Sequence, residues 1–305
     1  MNERDLMRRY ALFGLLLDSE IELPELAPST LEGPADIVVR MGKIAPGDEL
    51  VGTGDHYVHR VPDIAAYRIA DGASITVDPD PAAHESHIRL FLLGTAFGIV
   101  LHQRGLLPLH ANGVEIGGRA ILFMGASGAG KSTLASWFVN KGYRLIADDV
   151  CAVSLADGRP TILPGIPRFR LWEDALTRQG RSSEGLTLSY AGDENYRKFD
   201  VPVDEERRVA DGLPLGAIYV LERAAKPSIT PVSGVDAIEQ IFAHTYRGEF
   251  VARLGLGETH WRSSALLAGS VPMFIAGRIW DSSAMDHENA ALVEHATGIA
   301  ARTAP

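Results

Sequence analysis

Cysteine is nearly missing from this chain: Cys151 is the single thiol among 305 residues. That excludes an intrachain disulfide and fits a reducing compartment, so a cytoplasmic location is expected. Cys151 itself reads as a small apolar packing residue rather than a redox centre. Positive charge is also in deficit. Lysine and arginine number 29 against 39 aspartates and glutamates, a net charge of −10. Such a balance argues against a general binder of nucleic acid or of anionic membranes, while leaving room for a local basic cleft. No long apolar run is present. The longest, Ile88 to Leu101, is interrupted by Arg89, Gly94 and Gly98. It falls short of the roughly 20 residues a membrane span needs and reads as a core helix. Met1-Asn2-Glu3-Arg4-Asp5-Leu6 carries charges of both signs and lacks a signal-peptide pattern. Internal repeats and low-complexity tracts are absent. What remains, 46% hydrophobic and 22% charged, is the composition of a soluble globular protein of one large or two ordinary domains.

Up to about Pro81 the chain reads as β-rich. Tyr10 to Leu17 and Ala35 to Arg40 are expected strands, separated by the proline-punctuated Leu23 to Pro28. Ala66 to Ala70 and Ser74 to Val77 flank Asp71-Gly72, a hairpin signal because the turn favours φ > 0. Asp78-Pro79-Asp80-Pro81 then breaks regular structure. A helix from His84 to Gln103 follows. Asn112 to Ile116 turns at Gly117-Gly118 into a second strand, Ala120 to Met124. Tyr143 to Ala147 is a further strand, and Asp157-Gly158 marks a hairpin between Val150–Leu155 and Pro160–Leu163. Arg168 to Asp204 is polar and glycine- and serine-containing, and is expected to form mobile loops. Ala217 to Leu221 is a buried strand. The remainder reads as helix with one strand at Val271 to Ile275. Pro81 thus divides a β-rich segment, 1–83, from a larger unit, 84–305.

The most specific stretch is Gly125-Ala126-Ser127-Gly128-Ala129-Gly130-Lys131-Ser132-Thr133. It fits G-x-x-x-x-G-K-[ST], the phosphate-binding Walker A loop, without a mismatch, and lies between an expected strand and an expected helix. Glycines let backbone N–H groups turn inward around phosphate oxygens, and the following helix N-terminus adds positive potential. Lys131 is expected to reach the β- and γ-phosphates of ATP, and the Ser132 hydroxyl to ligate Mg²⁺. All nine residues, 125–133, are therefore candidate nucleotide ligands.

Asp148-Asp149 ends the strand directly after the loop's helix, where an α/β sheet presents its ligands. Adjacent strand residues point to opposite sides, so the two carboxylates are expected to divide the work. The working assignment takes Asp148 as the base that accepts a hydroxyl proton and Asp149 as the metal-side carboxylate beside Ser132. His110, at the start of the hairpin that delivers the loop, is placed to touch this pair and tune a carboxylate. Developing phosphoryl charge needs cations, and Arg168, Arg170, Arg197 and Lys198 are candidates.

These residues carry a resemblance. His110-Ala111-Asn112-Gly113-Val114-Glu115-Ile116, the Gly125–Thr133 loop, and Lys141-Gly142-Tyr143-Arg144-Leu145-Ile146-Ala147-Asp148-Asp149-Val150 together resemble the catalytic domain of HPr kinase/phosphorylase. The resemblance implies an α/β fold, a P-loop kinase core of the HPr-kinase C-terminal-domain type with a small β-rich N-terminal domain. It further implies ATP and Mg²⁺ as cofactors, a protein or peptide acceptor, an aspartate pair that supplies base and metal contacts, and homo-oligomers, since HPr kinases assemble as hexamers. The family's later Glu-x-Arg-Gly-Leu-Gly signature is absent; Leu163 to Trp172 stands in its approximate place. HPr recognition and the reverse phosphorylase reaction are therefore not carried over. Tyr10-Ala11-Leu12-Phe13-Gly14-Leu15, Glu20-Ile21-Glu22-Leu23-Pro24-Glu25-Leu26 and Pro164-Gly165-Ile166-Pro167 with Arg170-Leu171-Trp172 are similar to a subgroup found with lasso-peptide biosynthesis. That similarity implies a kinase acting on the serine hydroxyl at the end of a precursor peptide. Three other readings compete: an HPr-type protein serine kinase, a small-molecule kinase of the shikimate or gluconate type, and a nucleotide-binding regulator without transfer activity. The extra β-rich segment and the hairpin entry with His110 disfavour the small-molecule kinase. Intact Lys131, Ser132 and both aspartates give no sign of lost transfer.

Overall fold

The computed structural model describes residues 7–47, 55–190, 197–279 and 285–302. The N-terminal hexapeptide read for targeting lies outside them. Six strands, β1 (Arg8–Leu12), β2 (Leu15–Ser19), β3 (Ile37–Met41), β4 (His56–Val61), β5 (Ala65–Ala70) and β6 (Ser74–Pro79), form a sheet of order β1-β2-β3-β6-β5-β4. The run Tyr10 to Leu17 is not one strand. It folds into a hairpin at Phe13-Gly14, whose φ values are 52° and 69°. A two-residue turn with both φ positive matches the twist of the flanking strands. The strain this puts on Phe13 is offset by burial, since that ring is 2% exposed. Asp71-Gly72 makes the expected turn of the same kind, with φ of 56° and 59°. β6 continues through Pro79, two residues into the expected break. β4 escapes a sequence reading because, among the described residues, it is an edge strand paired only with β5, with four polar or amphipathic side chains in six.

The expected helix from His84 to Gln103 is α1 (Glu85–Phe91) and α2 (Phe97–Gln103), joined by a π-helical turn at Leu92–Ala96. Gly94 and Gly98 in and beside that turn let the Tyr246 side chain approach. A methyl group at Gly98 would lie 3.1 Å from the Tyr246 ring. Leu92, Leu93, Phe97 and Leu101 pack with Leu17, Tyr67, Ile69 and Val77 of the sheet, and Ala152, Phe250 and Leu254 join the same cluster.

The central sheet holds β7 (Leu107–Leu109), β8 (Ala111–Ile116), β9 (Arg119–Gly125), β10 (Leu145–Ala147), β11 (Cys151–Ser154) and β12 (Thr161–Leu163). Further along the chain come β13 (Arg168–Trp172), β14 (Thr187–Leu188), β15 (Lys198–Pro202), β16 (Leu213–Arg223), β17 (Ser228–Val232) and β18 (Met273–Arg278). The helices of this part are α3 (Lys131–Asn140), α4 (Glu173–Arg178), α5 (Gly234–Ala243), α6 (Glu249–Arg253), α7 (Gly257–Ser270) and α8 (Met285–Arg302). The sheet's main path runs β10-β8-β9-β16-β18-β17, with β9, β16 and β18 parallel; β12-β11-β7 joins at the start of β16. Parallel strands need cover on both faces. Leu134 and Phe138 of α3 with Leu292 and Ala296 of α8 cover one face, and Ala237, Ile241 and Leu267 of α5 and α7 the other. Cys151 is fully buried, its thiol donating to the Ala111 carbonyl at 3.4 Å.

The segment Arg168 to Asp204 is a correction. Instead of loops it forms a three-stranded sheet, β13-β15-β14, with α4; residues 191–196 within it lie outside the described residues. Phe169, Leu171, Phe199 and Val201 alternate with charged neighbours and bury themselves against Ala135 and Leu145. Among the described residues no helix is long and apolar enough to cross a membrane.

Candidate active site

β9 ends at Gly125 and α3 begins at Lys131, so strand, loop and helix follow in the order the sequence pattern requires. Gly125 is tied to its place by space: a methyl group there would meet the Leu221 carbonyl at 2.9 Å. Gly128 and Gly130 are tied by conformation, with φ of 83° and 76°. Gly130 caps α3 and offers no side chain to its N–H groups, which leaves them for an anion. Ala126 and Ala129 close the loop through an N–H···O bond of 3.0 Å. Ser127, Gly128, Gly130, Lys131, Ser132 and Thr133 border a cleft of about 760 Å³. Lys131 is 7% exposed, and its Nζ donates to the carbonyls of Gly125 at 2.8 Å and Ala126 at 3.1 Å. Burial lowers its pKa, against the pull of Asp148 and Asp149. Asn112, fully buried on β8, donates to the Lys131 carbonyl and fixes the first turn of α3 to the sheet.

The acidic pair sits just past β10. Asp149 has φ of 74°, so the carboxylates diverge through a left-handed bend rather than through strand pleating. Asp148 is 7% exposed. Its Oδ2 accepts from the Arg170 N–H at 3.0 Å, and its Oδ1 is buried without a hydrogen-bond partner. Burial pushes its pKa up to about 6, against the Arg170 N–H, Lys198 and the nearby Ser132 hydroxyl and with a further push from Asp149. Asp149 behaves oppositely. Burial opposes its charge, yet Arg170, His110, Lys198 and Lys131 outweigh that and hold it below the usual carboxylate range. Its Oδ2 accepts from Arg170 Nη1 at 3.0 Å and its Oδ1 lies 3.4 Å from His110 Nδ1. His110 Nδ1 also bonds the Asp149 carbonyl at 3.0 Å, and a carbonyl can only accept, so Nδ1 carries the proton. Burial and Lys131 lower the His110 pKa against the pull of Asp149.

His110, Asp149 and the loop thus share one cleft, whereas Asp148 does not border it. Asp148 borders instead a pocket of about 20 Å³ against Phe13, Leu93 and Ile166, on the side of the N-terminal sheet. The hairpin tip is fixed there by a 2.9 Å bond from the Phe13 N–H to the Pro164 carbonyl. Of the four cations, Arg168 pairs with Asp200, Arg170 with Asp149 and Asp200, and Arg197 with Glu173, while Arg170 and Lys198 border the cleft. Tyr246 is an addition that the sequence reading missed. Its ring lies 6.3 Å from that of His110, its N–H donates to the Pro108 carbonyl, and its carbonyl accepts from His102. Contacts over such sequence distances leave no local signal.

Three comparisons bear on this geometry. Residues 106–166 match the HPr Serine kinase C-terminal domain family. Two HPr kinase/phosphorylases, one from Treponema pallidum subsp. pallidum and one from Treponema pallidum strain Nichols, are each 40% identical over 60 residues, 20% of this chain and 19% of each relative. The chain thus matches about a fifth of the length of these curated relatives. A solved structure, the Hpr(Ser) kinase/phosphatase from Coxiella burnetii, aligns with a TM-score of 0.34 and 15% identity, covering 62% of this chain and 89% of that one. The chain is therefore similar to HPr kinase C-terminal domains over 106–166, the stretch that holds His110, the Gly125–Thr133 loop and the Asp148–Asp149 bend.

Proposed function

We propose that this protein is an ATP- and Mg²⁺-dependent kinase that phosphorylates a serine hydroxyl of a peptide, in the finer reading the C-terminal serine of a lasso-peptide-type precursor. The observation that carries the reading is the meeting of Lys131, Ser132, Asp149 and His110 on one cleft with the uncapped start of α3. The residues fit the groups required. Free N–H groups and Lys131 suit the phosphates of ATP. A hydroxyl from Ser132 and a carboxylate held ionised at Asp149 suit Mg²⁺, which takes one or two protein carboxylates and completes its shell with phosphate and water. Among the described residues no group of three or more His, Cys, Asp or Glu forms an all-protein metal cage. The bound ion would neutralise charge on the β- and γ-phosphates.

In the transfer, the serine oxygen forms a bond to the γ-phosphorus, the bond from that phosphorus to the bridging oxygen breaks, and ADP leaves. The hydroxyl proton goes to Asp148 Oδ1, an oxygen without another partner on the carboxyl whose pKa lies near neutrality. Asp149, held more acidic, is the weaker base and the better permanent charge. Asp148 does not border the cleft, so the acceptor must close onto it; catalytic hydrogen bonds commonly tighten only in the Michaelis complex. His110 orients the Asp149 bend through its backbone. A folded-protein acceptor of the HPr type is the second reading, favoured by the match over 106–166. Mass spectrometry after incubation with ATP, Mg²⁺ and candidate acceptors tests both. A gain of about 80 Da on a serine-ending peptide supports the first. Phosphorylation of free sugars or shikimate-like acids alone would refute a peptide acceptor.

A further inference from the structure

The basic side chains around the cleft differ in one respect: most are already neutralised. Arg168 is 9% exposed and paired with Asp200. Arg170 is shared between Asp149 at 3.0 Å and Asp200 at 3.6 Å. Arg178 pairs with Asp174 at 2.8 Å, and Arg247 lies 3.7 Å from Glu249. Lys131 is turned back onto its own loop. Lys198 stands apart. Among the described residues no carboxylate lies within ion-pair distance of its ammonium, although it borders the cleft at the start of β15. Its register partner on β13 is Trp172, and the ammonium lies 6.0 Å from the centre of that ring. The ring is 41% exposed, so it supports the lysine stem without burying the charge. The Lys198 charge also acts on His110, Lys131, Asp148 and Asp149, which border the same cleft or its acidic bend.

We propose that Lys198 is a catalytic residue that contacts the phosphoryl group in transfer, across the cleft from Lys131. The inference rests on the kinase reading and deepens it. Charge spreads over the equatorial oxygens of the phosphoryl group as it moves, and a cation without a counter-ion stabilises that charge more than one already shared with carboxylates. A lysine supplies a compact point charge with rotatable donors, suited to a group that changes position. Bond changes are those given above; Lys198 keeps its proton throughout.

The test compares Lys198→Met and Lys198→Arg with the wild type in two readouts. The first is affinity for ADP and for a non-hydrolysable ATP analogue with Mg²⁺, by calorimetry. The second is the rate of phosphate transfer. In Lys198→Met, ADP affinity should stay within about twofold, analogue affinity fall about tenfold, and transfer fall about 100-fold or more, in line with removal of one transition-state donor. Lys198→Arg should recover part of both losses. Unchanged analogue affinity with a raised KM for the acceptor alone would place Lys198 on the acceptor and overturn the proposal. Equal loss for both nucleotides would also overturn it. A wild type that binds neither nucleotide would show that the kinase reading itself fails, before any variant is compared.

Discussion

Replacing Asp148 by asparagine should stabilise the fold while abolishing transfer. The carboxyl is buried, and its pKa rises from an ordinary 3.8 to about 6 on folding. The folded state therefore binds this proton more tightly than the unfolded chain does. Stability from this group is fully present below the unfolded value and is lost as pH rises through about 6. At pH 7.5 the charged side chain thus costs roughly 3 kcal/mol at most. Asparagine is close in shape, stays neutral, and can still accept from the Arg170 N–H with its oxygen. Its NH₂ would take the place of the unpartnered Oδ1, within the field of Asp149. Asp148→Asn should therefore be about 1–3 kcal/mol more stable than the wild type at pH 7.5. The gap should close below about pH 4, where both side chains are neutral. Urea unfolding at several pH values measures it. Asp149→Asn should show the opposite sign. Its carboxylate is held more acidic in the fold, so its stabilisation is present above the unfolded pKa and lost only as pH falls through the folded one. A destabilised Asp148→Asn at pH 7.5, or a gap that does not change with pH, would refute the assigned burial cost. Retained transfer would remove Asp148 as the base.

Further outcomes follow from the same geometry. With Asp148 as base, the rate should have an acid limb near pH 6 and be about tenfold below its plateau at pH 5; a rate already at plateau at pH 5 would move the base to Asp149. Lys131→Met should keep a native far-UV spectrum and lose transfer by at least about 100-fold, and near-normal turnover would sink the phosphate-loop reading. Chelation of Mg²⁺ should stop transfer and its return should restore it, as a stopped-time assay would show. Phe13→Ala should lower stability by about 3 kcal/mol or more, since the ring is 2% exposed; urea midpoints within error of the wild type would deny the hairpin tip its packing role.

The parts legible in the sequence are those whose cause is local. The Gly125–Thr133 loop needs positive φ at Gly128 and Gly130 and a close approach at Gly125, and only glycine meets both needs cheaply. Gly117-Gly118 and Asp71-Gly72 turn for the same reason. The Phe13-Gly14 turn is hidden because an aromatic residue rarely adopts positive φ; its burial against the rest of the fold overrides that preference. β13 and β15 are disguised by charge, as their apolar residues alternate with Arg168, Arg170, Lys198 and Asp200. The same holds for electrostatics. Four cations near the acidic bend look alike in sequence, and only their tertiary partners separate Lys198 from the three arginines. Which of Asp148 and Asp149 faces the cleft turns on the left-handed backbone at Asp149, a conformation that aspartate tolerates but does not require.

The lone thiol has a practical consequence. Cys151 lies two residues after Asp149, fully enclosed, with its pKa raised well above the ordinary value by burial and by the neighbouring aspartates. A neutral alkylating reagent can reach it only when the packing around β11 opens, since the residue is fully buried beside β7 and β8. With one such group per chain, each modified molecule gains a single adduct, so its mass records whether that opening has occurred. The unmodified protein therefore carries its own clock for the breathing of the strand beside its acidic bend. Slowing of that clock by ADP or an ATP analogue would register occupancy of the cleft without a dye, a tag or a mutation.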